Sequence, residues 1–549
     1  MKLEDFLRRS IDRRTAMKAG TATFLASQMA LFEGLASAPQ RIALASSTPS
    51  DIQFDIGAFV HPAQTFNDGA GNVVADFGVT FTMFAPARLR RTPSKFDQAV
   101  LDEALETIEA HFPFSPAGAF VFTLYGVPYF NRLPQALVAA AMPRLASNHS
   151  RFVLEESPAF PTDFTGGAGT QNPDIVKDRF NVPVVIETND VLFEMRSDNL
   201  NNLSNILAWL QGSNNLNGSF VASPDFDGLF NFATPRVIFV QPGLPRKVAD
   251  NAFANFAQGN LLYEYHGRIN PDSSMVMGFV DQQVDSSAPN GATVTFVGDP
   301  NNRNTQGFTT ARAGDYFDNG AIAHLSHDID DLFQFYSLPN QDSRRTEGEP
   351  FTERVQYMFR SNQINSGFFG LPTLNAGNAD QFTDGGGAAF VNNVFQGAGA
   401  ALAAAQDKDG KTTAQTNQDI NATFSGEPRV GHEEALQRSS RAADGTPLHI
   451  RNDGPGFDTL DVPAFQDFPG GTNFAAGTTQ FKLHFLAFVP TSEFFRQMRV
   501  NVAAQDFQAQ FLAGQDDNNG LERFITATRR QNFLCPPRRH RAFPLVEFT

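Results

Sequence analysis

The chain has 549 residues, too many for one ordinary hydrophobic core, and its 41% hydrophobic and 18% charged content is globular rather than disordered. A net charge of −16, with no basic run interleaved with aromatics, argues against a nucleic-acid partner and against anionic membranes. The lone cysteine, Cys535, excludes an intrachain disulfide, and 56 Phe against 7 Tyr and 1 Trp point to a Phe-rich core or pocket.

The chain opens with a basic segment, Asp12-Arg13-Arg14-Thr15-Ala16-Met17-Lys18, followed by an apolar stretch over residues 19–32. Ala36-Ser37-Ala38 and Ala43-Leu44-Ala45 are small-residue cleavage candidates. This is the pattern of a twin-arginine signal, which sends a folded protein, often with its cofactor, to the periplasm or the cell exterior. No other apolar run reaches the ~18 residues that span a bilayer, so no stable membrane insertion is expected after processing.

Alternation at Ile52, Phe54, Ile56 and Ala58, and again at Phe77, Val79, Phe81 and Met83, predicts two half-buried strands. Apolar spacing over 96–112 predicts a helix, and 119–125 a strand. A unit of short strand, polar cap and helix then recurs: 191–195 with 200–210, 321–325 with 329–335, and 482–489 with 494–502. Strands separated by single helices suggest ferredoxin-like α+β units. Residues 380–425, rich in Gly, Ala, Asn and Gln, read as an insertion, and 283–315 as polar and turn-rich.

No zinc, P-loop or nucleophile-elbow motif is present, and no Cys-x-x-Cys-His for covalent haem. Of the ten histidines only His324 and His327 are close together, and on a strand they would face opposite ways, which makes them poor joint ligands. Three segments remain. Gly278-Phe279-Val280-Asp281 ends an apolar approach to a loop. His432 follows the insertion. Arg451 lies in His449-Ile450-Arg451-Asn452-Asp453-Gly454-Pro455.

In this order the segments resemble the dye-decolorising (Dyp-type) haem peroxidases. Gly278-Phe279-Val280-Asp281 resembles that family's distal Gly-x-x-Asp-Gly motif, with Gln282 in place of the last glycine. Arg451, with Pro455 four residues on, resembles its distal arginine, and His432 stands where the proximal iron ligand is expected. Residues 317–360, 483–499 and 521–537 are similar to the family's strand-and-helix run, late strand and helix, and closing helix and turn. The resemblance is good from about residue 190 to 540.

The resemblance implies an α+β fold of two ferredoxin-like domains, in a dimeric α+β barrel arrangement with long loop insertions. The expected divisions are 1–45 signal and linker, 46–315 N-terminal domain and 316–549 C-terminal haem-binding domain. It implies haem b on His432, with His449 as a rival ligand and Cys535 as a remote one. Asp281 would shuttle a peroxide proton, and Arg451 would hold the charge that develops on O–O cleavage. Gly278 and Phe279 would line the haem, and Arg360 could pair with a propionate. The implied partners are hydrogen peroxide and an organic electron donor, with Trp209, Tyr263 and Tyr265 as possible relays, and the chain could form a homo-oligomer. Gln282 leaves open a non-enzymatic haem-binding protein or an exported scaffold without haem.

Overall fold

The computed structural model describes residues 49–59, 61, 64–67, 72–75, 78–165, 177, 180–241, 243–255, 269, 274–277, 290–332, 335, 446–468, 472–503 and 521–549. It is a mixed α and β structure built on one large, mainly antiparallel sheet of ten strands.

The strands of that sheet are β1 (Phe81–Leu89), β2 (Phe120–Gly126), β3 (Val185–Ile186), β4 (Val191–Ser197), β5 (Phe230–Phe232) and β6 (Arg236–Phe239). They continue with β7 (Ala321–Asp330), β8 (Ile450–Asp458), β9 (Gln480–Val489) and β10 (Ile525–Cys535). The order across the sheet is β6-β1-β4-β2-β10-β7-β9-β8, with β3 beside β10 and β5 beside β1. The run β6-β1-β4-β2 and the run β10-β7-β9-β8 place their strands in the same relative sequence order. Strands from both sides of residue 316 therefore share one sheet, joined where β10 pairs with β2 through Leu534 and Phe533.

The sheet curls until its edge strands β6 and β8 lie side by side. Close approach there falls on glycines: a Cβ at Gly454 would come 2.6 Å from Val240 Cγ2, and one at Gly456 2.9 Å from the Val237 carbonyl oxygen. Alternate residues along the strands enter two separate apolar clusters. Phe84, Phe122, Leu192, Leu486 and Phe488 belong to the inner one, enclosed by the curled sheet. Met83, Val121, Phe193, Phe481 and Ala487 belong to the outer one.

The outer layer is covered by helices α1 (Lys95–His111), α2 (Leu200–Leu210), α3 (Leu244–Asn255) and α4 (Ser492–Val502). Leu101, Leu105 and Ile108 of α1 and Leu203 and Leu207 of α2 form their buried stripes. Helix α1 starts at a capping box in which Ser94 and Asp97 satisfy each other's backbone amides. Among the described residues no helix is long and apolar enough to cross a membrane.

Three expectations are corrected. Residues 51–59 form turns rather than a strand. Two of the alternating residues, Phe54 and Ile56, enter the inner core together with Phe59, and Phe54 stacks on Phe488 at 4.4 Å between ring centroids. Strand β7 runs through His327 and Asp328 to Asp330, so the helical residues expected from Ile329 begin only at Leu332. The closing helix expected within 521–537 is the eleven-residue strand β10.

Candidate functional site

Of the site residues expected from sequence, Arg451 is described. Asp281, His432, Arg360, Gly278 and Phe279 lie outside the described residues, as do the signal over 1–45, the insertion over 380–425, Tyr263 and Tyr265. Arg451 is the second residue of β8 and stands opposite Ala487 of β9. It shares its face with Asp453 and Phe457, the side of the outer core, and its Nη1 lies 3.9 Å from Asp453 Oδ2. Met277, next in chain to Gly278, is buried in that same outer core.

The other candidates have ordinary structural surroundings. Trp209 is buried on α2 and donates its indole N–H to the Val221 carbonyl at 3.1 Å. Cys535 lies in the inner core, and burial pushes its thiol well above the ordinary range, which disfavours the thiolate a metal needs. His449 is buried just before β8. His324 and His327 do face opposite ways: His324 stacks on Phe495 of α4 at 3.8 Å, while His327 meets groups from β8 and β9.

Sequence reading missed a buried polar constellation that lies inside the curled sheet. His327 on β7 and His484 on β9 are direct cross-strand partners. Their rings are 4.8 Å apart, and both are completely buried. Asp458, the last residue of β8, completes the group. His327 Nε2 lies 3.4 Å from both of its carboxylate oxygens, and His484 Nε2 lies 3.2 Å from Oδ2. His484 Nε2 meets only the Asp458 carboxylate, and its Nδ1 has no hydrogen-bond partner. To reach Asp458 the His484 ring leans across Gly456, where a Cβ would come 2.4 Å from the ring.

A second rank of groups surrounds these three. His327 Nδ1 is 2.6 Å from Thr528 Oγ1, which is itself 3.0 Å from Asp461 Oδ2. Arg529 forks onto Asp461, Nε to Oδ2 at 2.6 Å and Nη2 to Oδ1 at 2.8 Å. Lys482 donates its ammonium to the Leu460 carbonyl at 2.8 Å and stands 3.9 Å from Asp458 Oδ1. Burial holds the His327 imidazole down at about 3 despite the Asp458 charge, and lowers His484 as well, so both rings are neutral. Burial opposes ionisation of Asp458 too, but its contacts, the Lys482 ammonium among them, keep that carboxyl well below its usual range. Burial also draws Lys482 down to about 8.

A separate inner group lies further along the sheet. Glu194 of β4 is completely buried and accepts from the Asn452 side-chain amide, which also meets Thr82 Oγ1 at 3.3 Å. Glu194 Oε2 has no hydrogen-bond partner. Burial raises this carboxyl to about 7, against the pull of Arg196 and Asn452. Strands that look apolar in sequence thus carry, on their inner faces, buried ionisable groups whose partners come from distant segments.

Residues 389–537 match the model of a family of unknown function, DUF7405. A comparison with curated proteins finds no match. Solved structures similar to this chain include a putative dyp-type peroxidase protein from Shewanella oneidensis, at 13% identity and a TM-score of 0.42 over 87% of this chain and 97% of that one. A dye-decolorizing protein from V. cholerae is similar at 12% identity and 0.39, over 84% of this chain and 95% of that one. A variant of DypB from Rhodococcus jostii in complex with heme is similar at 12% and 0.38, over 84% and 94%.

Proposed function

We propose that this chain is a haem peroxidase of the dye-decolorising type, an oxidoreductase that consumes hydrogen peroxide and oxidises an organic donor. The observation that carries this reading is the ordered set Asp281, His432 and Arg451, with Pro455 after the arginine. The arginine sits on the outer face of β8 opposite the small Ala487, and Met277, four residues before Asp281, is buried in the same apolar layer.

Bound haem b would supply the redox-active iron. In this reading the His432 imidazole holds the iron, and Arg360 pairs with a propionate. Gly278 and Phe279 line the pocket. Asp281 takes a proton from peroxide and returns it to the departing oxygen. The Arg451 guanidinium holds the negative charge that develops there. The reading includes two ferredoxin-like halves, an N-terminal one to residue 315 and a haem-binding one from 316. The matching strand orders β6-β1-β4-β2 and β10-β7-β9-β8 support this division. It also includes export by the twin-arginine route to the periplasm or beyond, from the Arg13-Arg14 segment, and a possible homo-oligomer.

Gln282, where the family motif ends in glycine, favours a second reading, a haem-binding protein without turnover. Haem titration separates the two. Both require a Soret band that His432→Ala abolishes, and the peroxidase reading alone requires peroxide-dependent oxidation of a dye that Asp281→Ala abolishes.

A further inference from the structure

We infer that His327, Asp458 and His484 form a site for a divalent transition-metal ion, with zinc as the reference ligand, inside the curled sheet and apart from the Arg451 face. The geometry comes first. Nitrogen and oxygen ligands about 2.0–2.2 Å from a zinc ion stand roughly 3–3.5 Å apart from one another. Asp458 lies 3.4 Å from His327 Nε2 and 3.2 Å from His484 Nε2, and all the donor atoms fall within 4.8 Å.

The hydrogen bonds then fix which nitrogen is bare. Asp461 can only accept, so the Thr528 hydroxyl donates its proton there, a charge-assisted bond that outweighs one to a neutral group. The same hydroxyl oxygen must therefore accept from His327 Nδ1–H. That leaves a lone pair on His327 Nε2 aimed at the Asp458 carboxylate, two acceptors face to face. His484, also completely buried, turns Nε2 to the same carboxylate and has no hydrogen bond at Nδ1, and a buried unsatisfied polar group costs about 1–3 kcal/mol.

A cation between these groups would take the His327 Nε2 lone pair, His484 Nε2 and the Asp458 carboxylate as its ligands. Lys482 fills that role only in part, since it stands 3.9 Å from Asp458 Oδ1 and turns one of its three N–H groups to the Leu460 carbonyl. The Thr528–Asp461–Arg529 chain is the outer support that orients a metal-bound imidazole. Gly456 is the opening through which the His484 ring reaches the site. Two imidazoles and one carboxylate suit zinc, iron(II) or manganese, and leave at least one coordination position for water or a further ligand.

The test uses the full chain, stripped with a chelator and titrated with zinc against a chromophoric competitor, with cobalt(II) as a spectroscopic probe. The expected result is one zinc per chain, and a cobalt visible spectrum distinct from that of the aquo ion. Asp458→Asn and His484→Gln should each weaken zinc beyond the roughly 10–100-fold that an outer partner is worth, and Thr528→Val should fall within that range. Lys482→Met, which removes a competing cation, should tighten zinc. His324→Gln, buried on the opposite face, should leave it unchanged. The cobalt spectrum of the unaltered chain stands even if a ligand variant fails to fold. Absence of stoichiometric zinc, an aquo-like cobalt spectrum, or unchanged zinc affinity in folded His484→Gln would each overturn the site.

Discussion

At the scale of single residues, the inner face of the sheet sets the chemistry. Glu194 has a carboxyl raised by burial to about 7 from its ordinary 4.5. The folded chain therefore holds a proton that the unfolded chain releases between those values, and stability falls as pH rises through that window. Glu194→Gln removes the titration and keeps the shape. It should stabilise the protein at pH 8 by on the order of 3 kcal/mol, leave pH 4 nearly unchanged, and flatten the slope between; urea midpoints at both pH values measure this. Gly456 is set by a second local constraint, the His484 ring that crosses it at a distance no Cβ tolerates. Gly456→Ala should cost about 1–3 kcal/mol by thermal or denaturant unfolding, and a neutral result would mean that the ring has other room. Such residues were barely legible in sequence. The Gly454-Pro455-Gly456 run inside a strand and the Lys482-x-His484 alternation were the available signals of close packing and inward polar groups, but the groups they meet lie on other strands.

At the scale of elements, legibility followed the burial pattern. Helices α1, α2 and α4 and strands β2, β4 and β9 were readable because each has an apolar face of regular period. The far end of β7 and the whole of β10 were misread for one shared reason. Their ends carry His327, Asp328, Asp330, Arg529, Arg530 and Asn532, a polarity that resembles a helix cap or an exposed helix. Folding buries these groups against partners that sequence cannot supply. Arg530 is held by a bidentate pair with Asp163, both oxygens at 2.7 Å, across a long separation in the chain. Asp163→Ala would strand that buried guanidinium and should cost about 3–5 kcal/mol, seen as a fall in the unfolding midpoint. The segment over 51–59 was misread in the other direction, since its alternation marks a plug of turns whose apolar side chains enter the inner core. Phe54→Ala should therefore destabilise the fold by about 3–5 kcal/mol, whereas a surface strand would lose far less.

At the scale of the whole molecule, one curled sheet presents two faces with different tasks. The outer face carries Arg451, on the side of the outer core. The inner face carries the His327, Asp458 and His484 group. The mixed α and β class was legible because strands and helices alternate at short range. The joining of both halves was expected only from the family resemblance, since the β2–β10 contact is short and links segments far apart in the chain. The two faces also make the functional accounts separable, since haem loading and zinc loading should respond to different substitutions. The most direct measurement is haem titration of the purified chain followed by peroxide and a dye donor. The account predicts a Soret band that His432→Ala removes, and dye oxidation that the double variant Asp281→Ala with Arg451→Ala abolishes while still binding haem. No Soret band after reconstitution, or undiminished turnover in the double variant, would contradict it.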